Sequence, residues 1–178
     1  MSMLDRPLVV LTAALSLAAA SKPTRLAEPS YLPDATASRV VTVTEAGAAD
    51  AGITVLTEAV AIKETGPRAT VSRFGEVYAF SPAFVAVHRD EPTEISFWNL
   101  QPDDDHDFML VGSDAQVLMK ILLPALRKTT YIFTFHDEGL FTFYCTMHQP
   151  EMSGQILVLP TAQGRQSSDC HAQRPLRP

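Results

Sequence analysis

The stretch FTFYCTMHQPEMSGQILV, residues 141–158, carries the strongest structural and chemical signals in the chain. Its first five residues alternate in the way that a half-buried strand does and end at Cys145. Its last residues and the one that follows, 155–159, are rich in branched apolar side chains and predict a second strand. The loop between these strands holds His148 and Met152. A loop this short brings a thiolate, an imidazole and a thioether close to one point.

Those three groups are the ligands that copper prefers, with His and Cys as strong ligands and Met as a long axial ligand. A trigonal site of this kind needs a second histidine from elsewhere in the chain. Zinc fits the set poorly because its structural sites are closed by four strong ligands. We therefore expect a copper site built on Cys145, His148 and Met152, with one more histidine.

The direction of the strands selects that histidine. If the strand before Cys145 runs towards the site, His136 lies at its other end, about 20 Å away. His88 lies next to a turn at the same far end, and His171 lies in a polar tail. His106 is therefore the expected fourth member of the set, provided that its loop meets the loop of Cys145.

From about residue 70 onward the pattern is all-β. The candidate strands are short, rich in β-branched and aromatic residues, and separated by Pro, Gly or Asp turns, which predicts a β-sandwich or barrel. They are 70–74, 76–80, 84–88, 94–100, 107–111, 117–122, 129–135, 140–145 and 155–159.

The chain divides into four segments. Residues 1–20 contain Arg6, an apolar run and a small-residue end, which is typical of a signal peptide and predicts a periplasmic or secreted protein. Residues 21–65 are expected to be a linker or N-terminal extension. It contains two strand-like pieces, VVTVT and ITVLTEAVAI, and the second also has the pattern of an amphipathic helix. Residues 66–160 form the predicted domain, and 161–178 the predicted disordered tail. After cleavage of the signal peptide, no apolar run is long enough to span a membrane.

Composition narrows the choice of partners. The hydrophobic fraction of 46% is that of a globular protein. The formal net charge is −6, and no cluster of Lys and Arg is present. Nucleic acid is excluded as an expected partner, because phosphate binding needs a concentrated basic surface. A partner protein with a basic docking face is favoured instead.

The two cysteines first suggest a disulfide in an exported protein. Cys145 lies in an aromatic strand, whereas Cys170 lies in the polar tail. This placement favours Cys145 as a metal ligand over a partner of Cys170.

Two stretches, WNLQPDDDHDFMLVG (98–112) and GLFTFYCTMHQPEMSGQILVLP (139–160), together resemble the cupredoxin family. The resemblance covers roughly residues 70–160 and implies a Greek-key β-sandwich with a copper ion. The spacing of Cys145 and His148 is similar to that of plastocyanin-type and nitrosocyanin-type sites. The flanking residues are more similar to the copper domains of nitrous oxide reductase and cytochrome c oxidase subunit II. Those domains hold two coppers with two loop cysteines, and the single cysteine here favours one copper.

The resemblance implies His106, Cys145, His148 and Met152 as copper ligands. Glu151 is the alternative fourth ligand, because the spacing from His148 to Met152 is one residue shorter than in plastocyanin-type loops.

Around these ligands, Asn99 is expected to tie the two ligand loops together by hydrogen bonds. Phe143 shares the face of Cys145 with Phe141 and is expected to line the site.

Acidic residues surround His106 at positions 103, 104, 105 and 107. We expect most of these carboxylates to be solvated. Their combined negative charge is expected to favour the oxidised, more positive copper ion and to attract a cationic partner.

The functional prediction is electron transfer by Cu(II)/Cu(I) cycling with a redox protein partner, rather than enzyme catalysis. Two alternatives remain. One is a periplasmic copper carrier or sensor, which needs exchangeable copper. The other is a small red-copper or nitrous-oxide-reductase-like enzyme, which needs an open coordination position.

Overall fold

The structure is a computed structural model that describes residues 30–162, and in this part of the chain ten strands form two sheets. The ten strands are β1 Val41–Thr44, β2 Ala51–Ala61, β3 Val77–Ser81, β4 Phe84–His88, β5 Thr93–Asn99, β6 His106–Val111, β7 Val117–Leu123, β8 Lys128–Phe135, β9 Gly139–Tyr144 and β10 Ser153–Leu159. One sheet has the order β4-β10-β9-β6-β7 and the other β1-β8-β5-β2-β3. The prediction of an all-β sandwich is confirmed.

Both sheets are mixed. Strand β10 runs parallel to β4, and β2 runs parallel to β5, whereas the remaining pairs are antiparallel. Strand β2 lies inside its sheet, between β5 and β3. The strands that precede residue 66 therefore belong to the same sandwich as those that follow it.

The second strand-like piece near the N-terminus is strand β2 rather than a helix. Its burial pattern agrees with this outcome, since the alternate residues Val55 and Thr57 are buried, residues 58–60 are exposed and Ala61 is buried again. Tertiary pairing on both sides overrides the amphipathic helical pattern.

The predicted strand 70–74 is wrong, because Arg68–Phe74 forms a short helix, α1. None of its residues is buried, and it follows Pro67, whose fixed φ suits a helix start. Gly75, with φ of +81°, ends the helix. The β-branched residues of this segment have no neighbouring strand to pair with, so their strand propensity has no effect. Within residues 30–162, no helix combines the length and the apolar character of a membrane span.

An aromatic cluster fills the space between the sheets. Phe97 and Phe108 approach with ring centroids 4.7 Å apart, and Phe108 and Phe143 with centroids 5.0 Å apart. Phe133 and Phe135 are also fully buried in this core. Tilted and edge-on ring contacts of this kind add to the free energy gained by burying the rings. Phe108 belongs to β6 and Phe143 to β9, so this core packs against the two strands that lead to the candidate site.

Two loops lie side by side at one end of the sandwich, which we call the ligand end. The first, residues 100–105, leads into β6, and the second, residues 145–152, connects β9 to β10. At the opposite end, called the far end, lie the turns 89–92, 112–116 and 136–138.

Candidate metal centre

Three potential ligands meet at the ligand end. The Nδ1 atoms of His106 and His148 are 3.1 Å apart. The Sγ of Cys145 lies 3.9 Å from Nδ1 of His106 and 3.6 Å from Nδ1 of His148. His106 begins β6, Cys145 follows the last residue of β9, and His148 lies in the loop beyond it. The structure thus brings together the two histidines and the cysteine of the sequence prediction.

The spacing of these atoms fits one metal ion. Metal bonds in proteins are about 2.0 Å to imidazole nitrogen and about 2.3 Å to thiolate sulfur, taking zinc as the reference. Donor atoms separated by 3.1–3.9 Å can all reach one ion at such distances. Each Nδ1 atom thus lies close to the other Nδ1 and to Sγ, so the three donor atoms converge on one point. The chemistry of the donor set, two imidazoles and one thiol, suits copper.

Burial keeps these groups uncharged in the metal-free chain. His106 and Cys145 are fully buried. Desolvation and, after it, the charge of the nearby His148 together lower the pKa of His106 to about 4. Desolvation also lowers the pKa of His148, and it raises the pKa of the Cys145 thiol to about 11. At neutral pH a metal therefore meets two free imidazoles and must displace one proton, from the thiol.

Met152 and Glu151 differ in their surroundings. Met152 is fully buried in the same core cluster as Cys145, whereas Glu151 is exposed. The backbone of Met152 is tied to the loop twice, because its carbonyl accepts the Cys145 N–H at 2.9 Å and its N–H donates to the His148 carbonyl at 2.9 Å. These bonds close residues 145–152 into a compact turn.

Tyr78 of β3 covers both imidazole rings, a role that the sequence prediction missed. Its ring centroid lies 4.9 Å from that of His106 and 4.6 Å from that of His148. Its hydroxyl donates to Asp104 Oδ2 at 2.6 Å, which fixes the loop before His106. Burial, followed by the hydrogen bond to Asp104, raises the pKa of Tyr78. Nothing in the local sequence of β3 distinguishes Tyr78 from an ordinary core residue, since its contacts are all distant in the chain.

Asp107 connects the two ligand strands. Its backbone N–H donates to Cys145 Sγ at 3.5 Å, and its carboxylate accepts the Thr146 N–H at 2.6 Å and the Thr146 hydroxyl. Asp107 is only 3% exposed, so it is an exception to the expectation that most of the carboxylates around His106 are solvated. The reason is strand geometry, because the carboxylate is enclosed between β6 and the residues that follow β9.

Asn99 has a different role from the one expected. Its amide group donates to the carbonyls of Asp104 and Leu123, at 2.8 and 2.9 Å. Its carbonyl accepts the Thr57 hydroxyl and the Gln101 N–H. Among these hydrogen bonds, none reaches residues 145–152. Asn99 therefore orders the loop that leads to His106, while Asp107 and Thr146 join the two ligand loops.

Phe141 and Phe143 are buried on β9, on the side that Cys145 continues. Phe143 packs against Phe80 and Phe108. Opposite Phe143 in the β9–β10 register stands Gly154, where an added Cβ would lie 2.3 Å from both the Phe143 ring and the Ala83 carbonyl oxygen. Only glycine fits this close approach beside the site.

The other histidines lie elsewhere. His136, at the far end, is hydrogen-bonded through both ring nitrogens, to Asp90 and to Thr42, each at 2.9 Å. His88 contacts the carbonyl of Pro160 at 2.8 Å. His171 and Cys170 lie outside the described residues, as do the predicted signal peptide and most of the predicted tail.

No protein-family model matches the chain, and no curated protein matches it. Solved structures with a similar architecture include auracyanin B, at 14% identity and a TM-score of 0.49, covering 68% of this chain and 99% of that one. Auracyanin A, a "blue" copper protein from Chloroflexus aurantiacus, is 16% identical with a TM-score of 0.44, covering 61% and 98%. An amicyanin is 18% identical with a TM-score of 0.43, covering 67% and 98%. These solved structures are cupredoxins, the family that the ligand loops of this chain resemble.

Proposed function

We propose that the chain binds one copper ion through His106, Cys145 and His148 and transfers electrons by cycling that ion between Cu(II) and Cu(I). The observation that supports the proposal most directly is the convergence of two Nδ1 atoms and one Sγ within 4.8 Å of one another. Copper is favoured over zinc because a thiolate, two imidazoles and a thioether form a soft and incomplete set for zinc.

Met152 is the proposed fourth ligand, in preference to Glu151. A weak axial thioether must come from a side chain inside the protein, and Met152 is buried with Cys145 whereas Glu151 is exposed. The hydrogen bonds that join Met152 to Cys145 and His148 hold all three residues in one turn.

The surrounding residues suit electron transfer rather than substrate turnover. Bound copper supplies a one-electron couple, and the chain supplies a rigid set of donors. Tyr78 covers the histidines, and the hydrogen bonds of Asp107 hold the cysteine strand against β6. A pocket of about 460 Å³ lies at the far end, away from these donors. Gly112 and Glu138 are among the residues that line it.

The proposed partner is a redox protein with a basic docking face. Asp103 and Asp105 are exposed beside His106, and the chain has a net charge of −6, so a cationic surface would be steered to the ligand end. His148, half-buried and next to the exposed Pro150, offers the shortest route from the site to such a partner. We further propose that the protein is exported, periplasmic or secreted, on the basis of the signal-like pattern in residues 1–20.

Absorption spectroscopy tests the copper proposal. One equivalent of Cu(II) is added to the metal-free chain under non-reducing conditions, and we expect an intense thiolate-to-copper charge-transfer band. Cys145→Ser should abolish the band. The matched control Cys170→Ser should keep it. If the wild-type chain shows no such band, or if Cys145 proves to be bridged to Cys170, the proposed function is wrong.

A further inference from the structure

Tyr78 ends a row of aromatic side chains that face the core from β3. Tyr78 and Phe80 are two residues apart on this strand, so they lie on the same face. Phe80 packs against Phe108 and Phe143 inside the sandwich. Tyr78 lies nearer the ligand end, because β3 is antiparallel to β2, and β2 is parallel to β5, which leads into the first ligand loop.

The ring of Tyr78 fills the space beside both imidazoles. Its centroid is 4.9 Å from that of His106 and 4.6 Å from that of His148, and the two imidazole centroids are 4.8 Å apart. These are contact distances between aromatic rings, so no molecule fits between the phenol and either histidine. Tyr78 is itself only 3% exposed. It therefore packs against both imidazoles at once and closes the gap between their rings.

The hydroxyl of Tyr78 fixes the ring in this position. It donates to Asp104 Oδ2 at 2.6 Å. The backbone of Asp104 is itself held, because its carbonyl accepts the Asn99 amide at 2.8 Å. The next residue is held as well, since Asp105 Oδ1 accepts the Ala125 N–H at 2.9 Å. Tyr78 therefore joins β3 to the first ligand loop, and its ring cannot leave the histidines without losing a hydrogen bond to a carboxylate.

The protein encloses the other candidate ligands. His106, Cys145 and Met152 are fully buried, whereas His148 is half-buried and is the most accessible of the four. A small molecule from solvent therefore approaches the donor atoms most easily along His148. Tyr78 lies against that imidazole, so its ring occupies space that such a molecule would need.

We propose that Tyr78 is a specificity-determining residue of the metal centre. Its ring, held by Asp104, keeps small external ligands, namely small anions and small nitrogen bases, away from the bound copper. This inference rests on the proposed copper function and deepens it. A copper ion without a free coordination position exchanges electrons but binds no substrate, so closure by Tyr78 favours electron transfer over the enzyme alternative.

Azide titration of the copper-loaded chain tests the proposal, with the thiolate-to-copper charge-transfer band and the electron paramagnetic resonance spectrum as readouts. Tyr78→Ala leaves a cavity beside both histidines, and its apparent azide affinity should exceed that of the wild type on the order of tenfold. Tyr78→Val removes less of the side chain and should give a smaller rise, and it replaces the Ala variant if that variant does not fold. Tyr78→Phe keeps the ring and should behave as the wild type. Phe135→Ala removes a similarly buried ring at the far end and should leave azide affinity unchanged.

Chemical modification of the metal-free chain tests access without copper. Diethyl pyrocarbonate acylates unprotonated imidazoles, and mass spectrometry identifies the modified residues. Truncation of Tyr78 to Ala or Val should speed the modification of His106 and His148 on the order of tenfold, whereas the rate at His136 should not change.

Higher azide affinity and faster modification of His106 and His148 in the truncated variants, with neither change in Tyr78→Phe or Phe135→Ala, support the proposal. Unchanged azide affinity or unchanged modification in the truncated variants overturns it, and so does an equal rise in either control. A wild-type chain that shows no charge-transfer band removes the proposed function, and the modification rates then decide whether Tyr78 closes access to the histidines.

Discussion

The histidines at the two ends of the sandwich differ in what their ring nitrogens contact. At the far end, both ring nitrogens of His136 are occupied by hydrogen bonds, one to Asp90 and one to Thr42. At the ligand end, the Nδ1 atoms of His106 and His148 face each other and a thiol. Nε2 of His106 is buried without a hydrogen-bond partner among the described residues. A histidine with both nitrogens engaged stabilises a turn, whereas the Nδ1 atoms of His106 and His148 face each other and a thiol and can both donate lone pairs to one metal ion, with the proton on Nε2.

The largest expected effect contrasts the two kinds of histidine directly. His106→Ala should lower copper affinity on the order of a thousandfold, about 4 kcal/mol, because it removes a donor atom from the site. His136→Ala should leave copper affinity unchanged, since its ring lies at the far end. Competitive titration with a chelator measures both variants. Equal losses of copper affinity in the two variants would show that His106 is no more a copper ligand than His136.

The second prediction compares glycines at the two ends. Gly154→Ala should destabilise the metal-free chain by about 3 kcal/mol, because its Cβ would overlap the Phe143 ring and a backbone carbonyl. Gly52→Ala, in β2 near the far end, should have little effect, since nothing lies within 4 Å of the added atom. Urea unfolding measures the difference. A tolerated Gly154→Ala would mean that β10 can move away from Phe143 at low cost.

The third prediction concerns pH. The pKa of His106 is about 4 in the folded chain and about 6.5 when unfolded, so the unfolded chain binds the extra proton between these values. The stability of the metal-free chain should therefore fall as pH falls from about 6.5 to about 4, by about 2 to 3 kcal/mol. Urea unfolding across this range measures the slope. His106→Gln should flatten it, and an unchanged slope in that variant would assign the effect to other groups.

The smallest expected effect belongs to the surface of the far end. Arg89 Nη1 lies 2.9 Å from Glu138 Oε1, and the two side chains are 39% and 42% exposed. Glu138→Gln should change stability by less than about 1 kcal/mol, because water and salt screen such pairs. Thermal unfolding at low and at high salt tests this value. A larger loss of stability would mean that exposed ion pairs stabilise the far end as strongly as buried contacts stabilise the ligand end.

The sequence was a good guide where the signal was local. Alternating aromatic residues located β9, and turn residues located the neighbouring strands, because a strand exposes its two faces with a period of two. It failed at Arg68–Phe74, where β-branched residues form an exposed helix because no strand lies beside them. It also did not distinguish Asp107, whose carboxylate is buried, from the other acidic residues around His106, most of which were expected to be solvated.

The sequence by itself determined the donor set of the proposed copper site, because Cys145, His148 and Met152 lie within eight residues of one another in the chain. The direction of the strands also excluded His136 from that set. Only the tertiary structure decided what surrounds these groups, namely Tyr78 over the imidazoles and Asp107 with Lys120 behind the thiol. Those residues come from three different strands, and their contacts depend on how the strands pair across the sandwich, which no local pattern records.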